Sequence, residues 1–317
     1  MNWGQTLRTL AKTAAPLWAF ALLSACDLLV PVEPVLTPQA RPDEGAPPQA
    51  VLVAPAPSQQ SAELRLFYNR VLNDSLTRGL LRTDGGGPDT PYTTDMLVRN
   101  FEQIAFFSEY ERGPQPLRRW SDPVRFAMRF GPSVTPANRA RDANATTAYV
   151  SRLARITGHP ISVSDSNPNF HVFFASDDDR PGVIDEIRRI EPRIDERTLA
   201  TIRDLPRETY CLVVAFSPAD QSGTYTRAIA LIRTEQPDLM RLSCIHEELA
   251  QGLGLANDSP FARPSIFNDD EEFALLTSHD EVLLKMLYDP RLRPGFGIAT
   301  SRATLKLLAE ELTAPES

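Results

Sequence analysis

The sequence predicts an α+β domain, and three observations carry that prediction. Apolar runs of strand length stand at residues 169–175, 210–216 and 225–232. Helices flank them, with an apolar stripe at residues 137–157 before and two more helices at 181–190 and 196–204 between. Directly after the third run, residues 237–254 form an amphipathic helix that closes on glycine.

The chain opens on a different kind of segment. Arg8 and Lys12 form a basic head, residues 14–23 are apolar but too few to span a bilayer, and Leu23-Ser24-Ala25-Cys26 is the pattern after which bacterial lipoprotein precursors are cut. Residues 1–26 are therefore expected to be a lipoprotein signal peptide, with Cys26 the lipidated N-terminus that ties the protein to the membrane. A plain signal peptide or a membrane span are the alternatives. The expected place is the cell envelope, facing the periplasm. Asp27 resembles the inner-membrane retention signal of enteric bacteria, and which membrane carries the anchor stays open. Residues 27–60 hold a proline every few residues and hardly an aromatic, a composition that cannot bury enough apolar surface to order itself and so serves as a tether. The formal net charge of the 317-residue chain is −8, and its first 26 residues contribute two cations and no anion. So acidic a domain is a poor nucleic-acid binder.

Residues 61–115 read as a helical N-terminal segment. Leu64, Phe67, Tyr68, Val71, Leu72, Leu76 and Leu80 recur at helical spacing, and TDGGGPDTP ends that helix in turn chemistry. The glycines 85–87 lack the Lys and Ser/Thr of a phosphate loop and are read as a plain loop. A second helix is expected at residues 94–105. The main domain is placed at residues 116–313. It starts with a strand over 118–130 that Pro123 interrupts, and continues with the helix 137–157, whose stripe is Ala148, Val150, Leu153, Ala154 and Ile156. In the strand 169–175, His171 and Phe173 share one face, and Phe170, Val172 and Phe174 the other. His171 is read as a partly buried spacer. The SDDDR run at 176–180 lacks the glycine and distal Glu of a calcium loop and is expected to be solvated.

The helix at 237–254 concentrates the chemistry. Leu239, Leu242, Ile245, Leu249 and Leu253 form its apolar stripe; Glu247 and Gln251 fall nearly opposite Leu249, with Glu248 at their flank and Cys244 close by. Read from Glu247, the string Glu247, Glu248, Gln251, Gly254, Asn257 follows the spacing of HExxHxxGxxH, the zinc-protease helix. In that word two histidines at i and i+4 hold the metal and the intervening Glu is general base. Read from His246, the second ligand place falls on Ala250 and the glycine on Leu253, so the first register is preferred.

HEELAQGLGLANDS, followed by SIFNDDEEFALLTSHDEVLLKMLYDPRLRPGF, resembles an uncharacterised group of proteobacterial putative lipoproteins whose domain is similar to zincin-type metallopeptidases. The LLTSHDEVLLKMLYDPRL tail also resembles the last helix of metzincins. The resemblance implies a zincin-like fold, a twisted mixed sheet packed on helices around a central metal-type helix. It also implies that the strand just before that helix is an edge strand, open to an extended peptide. The histidine ligands are missing. Glu247, Gln251 and Asn257, with Asp258 beside them, stand in the ligand places, and the purified protein is expected to hold no zinc there. Asp280 and Glu281 are read as first-turn carboxylates of the closing helix, and with the loop residues Asn268, Asp269 and Asp270 before it they make the region acidic.

Besides Cys26 the only cysteines are Cys211, on a strand, and Cys244, on the helix. In a protein outside the cytoplasm they are expected to pair as a disulfide; two free thiols are the alternative. Two functions follow. One is a degenerate, metal-free zincin-like module that binds an extended peptide or an envelope protein. The other is an atypical peptidase in which Glu248 activates water at a divalent cation; an all-oxygen ligand set would suit calcium, magnesium or manganese better than zinc.

Overall fold

A computed structural model describes residues 54–108, 112–218 and 222–314; the lipobox and most of the tether lie outside them. The architecture is mixed α+β. Helix α1 (Gln59–Thr77) starts at Ser58, whose hydroxyl accepts from the amide of Ser61, and α2 (Thr94–Ala105) starts at Thr93 in the same way. Strands β1 (Arg119–Trp120) and β2 (Val124–Phe130) lie on either side of Pro123, which cannot donate to a ladder. Helix α3 (Pro136–Thr157) places proline in its first turn and ends on Gly158 at φ 64°.

The short strand β3 (Ile161–Val163) precedes β4 (Phe170–Ala175), then come α4 (Arg180–Ile190), α5 (Glu196–Arg203), β5 (Cys211–Phe216), β6 (Thr224–Tyr225) and β7 (Arg227–Arg233). Helices α6 (Asp238–Gln251), α7 (Ser278–Tyr288) and α8 (Ile298–Thr313) complete the chain. The sequence pattern did not show β3, which at three residues is too short for periodicity to register, and it did not single out α8. No helix among the described residues is long and apolar enough to cross a membrane.

The main sheet runs in the order β3-β2-β4-β7-β5, with the first four strands parallel and β5 antiparallel to β7. The strand before α6 is thus not the edge strand that was expected. β7 lies between β4 and β5, and β5 forms the rim. The reason is burial: six of the seven β7 residues are buried, whereas five of the six in β5 are only partly so. A strand covered on both faces is stable inside a sheet, and the half-covered one suits its edge.

Alternation along β4 divides the core. Phe170, Val172 and Phe174 join the large cluster under α2, α3, α6, α7 and α8, while Phe173 and Ala175 join a smaller one under α4 and α5. His171 is buried and its Nδ1 has no hydrogen-bond partner; burial pushes its pKa down to about 4.

The acidic run after β4 is solvated only in part: Asp178 is exposed, whereas Asp177 and Asp179 are tied into the fold. Asp179 accepts from the amides of Ser133 (3.1 Å) and Ser176 (2.9 Å) and from both serine hydroxyls, and Asp177 accepts from Arg180 (2.6 Å) and Arg233 (3.2 Å). The carboxyl ends of the parallel strands β2, β4 and β7 bring these distant residues together.

Candidate functional site: the central helix and the open sheet edge

Helix α6 is fixed at both ends by buried polar contacts. Near its start Arg241, 2 % exposed, pairs with Asp142 of α3 at 3.1 Å and donates to the Gln236 carbonyl at 2.6 Å. Burial pushes the Asp142 pKa up, with Arg241 opposing it. At its end three carbonyls, two of them just past the last helical residue, accept from side chains elsewhere in the fold. Tyr149 donates to His246 O (2.8 Å), Trp120 Nε1 to Gly252 O (2.8 Å) and Tyr288 to Leu253 O (3.0 Å). Gln251 is the last helical residue and Gly252 the cap. Gly254 follows at φ 127°, where a Cβ would lie 2.3 Å from the Arg118 carbonyl oxygen. The glycine is required both by its φ and by this close approach.

The polar side of α6 is covered at Glu248, 4 % exposed, and Gln251, 6 % exposed, and only partly at Glu247. Cys244 is bonded to Cys211 of β5, the two Cα atoms being 5.9 Å apart, so the edge strand is clamped to the central helix. Cys211 Sγ and one carboxylate oxygen each of Glu247 and Glu248 lie within 4.8 Å of one another. Gln251 Nε2 donates to Asp258 Oδ1 at 3.2 Å. Asn257 turns its amide nitrogen elsewhere, to the carbonyls of Gln103 of α2 (3.0 Å) and Asp258 (2.6 Å). The structure therefore pairs Gln251 with Asp258 and groups Glu247 with Glu248, but it directs the Asn257 amide nitrogen toward α2.

The histidines lie apart from that cluster. His246 stacks on Tyr149, ring centroids 3.9 Å apart, and its Nδ1 accepts from the Leu276 amide at 3.1 Å. Burial pushes its pKa down to about 3, so the ring is neutral. His279 is fully buried, with Nε2 at 3.0 Å from Asn100 Nδ2. Asp280 closes the capping box of α7 and accepts from Ser265 (2.6 Å) and the Ile266 amide (3.0 Å), so it holds the preceding loop.

Among the cavities that adjoin α6, two border Glu247 or Gln251. A cleft of about 640 Å³ is lined by Leu212–Ala215 of β5, by Arg197, Thr198 and Thr201 of α5, and by Gln251 and Arg118. A smaller cavity of about 180 Å³ is bordered by Cys244, Glu247, Asp258 and Tyr210. The sequence reading found none of Arg118, Arg197 or Thr198, which no local motif connects.

A zinc ion does not suit the donors in the motif places. Those places present one carboxylate and two amides and no imidazole, the sulfur nearest to them is held in a disulfide, and His246 Nδ1 already accepts a backbone amide.

A family model described as a protein of unknown function, DUF2927, matches residues 94–306. The chain belongs to the DUF2927 family. The DUF2927 span starts with α2 and ends within α8, so it contains the whole sheet and α6, while α1 precedes it. No curated protein and no solved structure matches the chain.

Proposed function

We propose that the protein is a lipid-anchored module of the cell envelope, with a degenerate zincin-like domain that binds extended polypeptide along β5 without a metal. The observation that carries this reading is the open edge of β5 beside the 640 Å³ cleft. Strand edges present unsatisfied main-chain donors and acceptors, and an extended chain laid beside them gains a ladder of hydrogen bonds whatever its sequence. Here the edge is held in place by the disulfide, and α5 lines the same cleft. Within this reading Glu247, Glu248, Gln251 and Asp258 serve as the polar floor that keeps β5 and the loop after α6 in register with the helix.

The test is fluorescence polarisation with a pool of labelled extended octapeptides on the oxidised protein. Binding that is lost on N-methylation of alternate peptide nitrogens supports β-addition; equal binding of methylated and unmethylated peptides overturns it. Elemental analysis of protein prepared without chelator gives an independent check, since about one zinc per chain would sink the metal-free part. The peptidase reading requires hydrolysis that Glu248→Gln abolishes. The anchor has its own test. Cys26→Ala should leave an uncleaved precursor, and mature protein still in the membrane fraction would refute lipidation at Cys26.

A further inference from the structure

We propose that the Cys211–Cys244 bond gates a zinc site, closed in the disulfide form and opened by reduction, with Cys211 Sγ, Glu247 and Glu248 as its protein ligands. This donor set differs from the one that the protease-like spacing marks, because it takes its third ligand from the edge strand and omits Gln251 and Asn257.

The geometry points to it in three steps. First, the three donor atoms already lie within 4.8 Å of one another. Zinc sits about 2.3 Å from thiolate sulfur and about 2.0–2.2 Å from carboxylate oxygen, so these donors can be at most about 4.5 Å apart across one ion and stand about 3.4–3.6 Å apart in a tetrahedral site. Small side-chain rotations close the remaining gap. Second, the donors stand on firm supports, adjacent residues of α6 and the first residue of β5, and the smaller cavity reaches both Cys244 and Glu247. Third, chemistry makes the bond a gate. A sulfur in a disulfide carries no charge and is no zinc ligand, whereas a thiolate is among the best. A thiolate beside two carboxylates gathers like charges that a divalent cation neutralises. Three protein donors leave a fourth tetrahedral position, as in zinc sites that keep a water.

The steps balance. A dithiol reductant gives two electrons and two protons to the disulfide, producing two protein thiols while its own sulfurs join. Zinc then binds Cys211 with loss of the thiol proton to solvent. Cys244 acts as the gate and is not a required ligand.

That distinction sets the experiment, done on the full chain in a Cys26→Ala background so that no third thiol interferes. Zinc affinity is measured by competition with a chromogenic chelator, and cobalt is used for a thiolate-to-metal charge-transfer band. The oxidised chain should take up no zinc, the reduced chain one per molecule, and Cys244→Ala one per molecule without any reductant. Cys211→Ala should take up none in either condition, and Glu247→Gln and Glu248→Gln should each weaken binding at least tenfold. The proposal is overturned if the reduced chain and Cys244→Ala both bind no zinc, or if Cys211→Ala binds as well as Cys244→Ala. It also falls if uptake occurs only where circular dichroism shows the fold is lost. Zinc on the oxidised chain removes both the gate and the metal-free reading above, whereas failure of the reduced arm alone removes only the gate.

Discussion

The neutral, stacked His246 makes a pH-dependent contribution to stability that can be isolated. Its pKa falls from an ordinary 6.5 to about 3 through burial. Because the folded value lies below the unfolded one, the unfolded chain takes up the proton first. The contribution is therefore fully present above pH ~6.5, is lost as pH falls, and reaches its limit near the folded pKa. At about 1.36 kcal/mol per pKa unit, the loss at pH 5 is about 2 kcal/mol. His246→Asn keeps an acceptor near the position of Nδ1, which takes the Leu276 amide, but cannot charge. It also loses the stack on Tyr149, a pH-independent cost of about 0.5–1.5 kcal/mol beyond lost burial. Urea unfolding of both proteins at pH 8 and pH 5 measures the difference. The stability deficit of the variant should shrink by about 2 kcal/mol between the two conditions, and other titrating groups, including His171, cancel in the comparison. An unchanged deficit, or an NMR titration of the His246 ring with a midpoint near 6.5, would refute the reasoning.

Three further outcomes follow from the packing around α6. Replacing Cys211 and Cys244 together by Ala should lower stability by about 3.7 kcal/mol, the loop-closure value for the separation of 33 residues, read from the guanidinium midpoint against the oxidised protein. Arg241→Met should cost about 3–5 kcal/mol because it leaves Asp142 charged and buried, and pairing it with Asp142→Leu should recover most of that loss in the same assay. Gly254→Ala puts a methyl 2.3 Å from the Arg118 carbonyl at a φ of 127°, so it should destabilise by well over about 1 kcal/mol; a thermal scan showing an unchanged midpoint would contradict the backbone geometry.

What the sequence determined by itself is what neighbouring residues settle among themselves. Thr93, Thr135 and Thr277 cap helices by accepting from amides three residues on, Pro123 interrupts a strand by lacking an N–H, and β4 alternates between its two faces. The identity of the polar residues on α6 was legible for the same reason, since a 3.6-residue period needs only local spacing. The tertiary structure alone decided which strand became the rim. β5 and β7 are both short apolar runs, and only burial of β7 by helices on both faces puts it inside. It also decided the partners of the acidic residues, because Asp179 meets Ser133, and Asp142 meets Arg241, across distances in sequence that no spacing rule spans. The site divides in the same way: Glu247 and Glu248 follow from the helix, but the place of Cys211 beside them, and the turn of the Asn257 amide nitrogen toward α2, depend on how β5 and the loop after α6 pack against the helix. Packing free energy sums over the whole molecule, and the residues that hold α6 and its end include ones on α3, β1, β5 and α7.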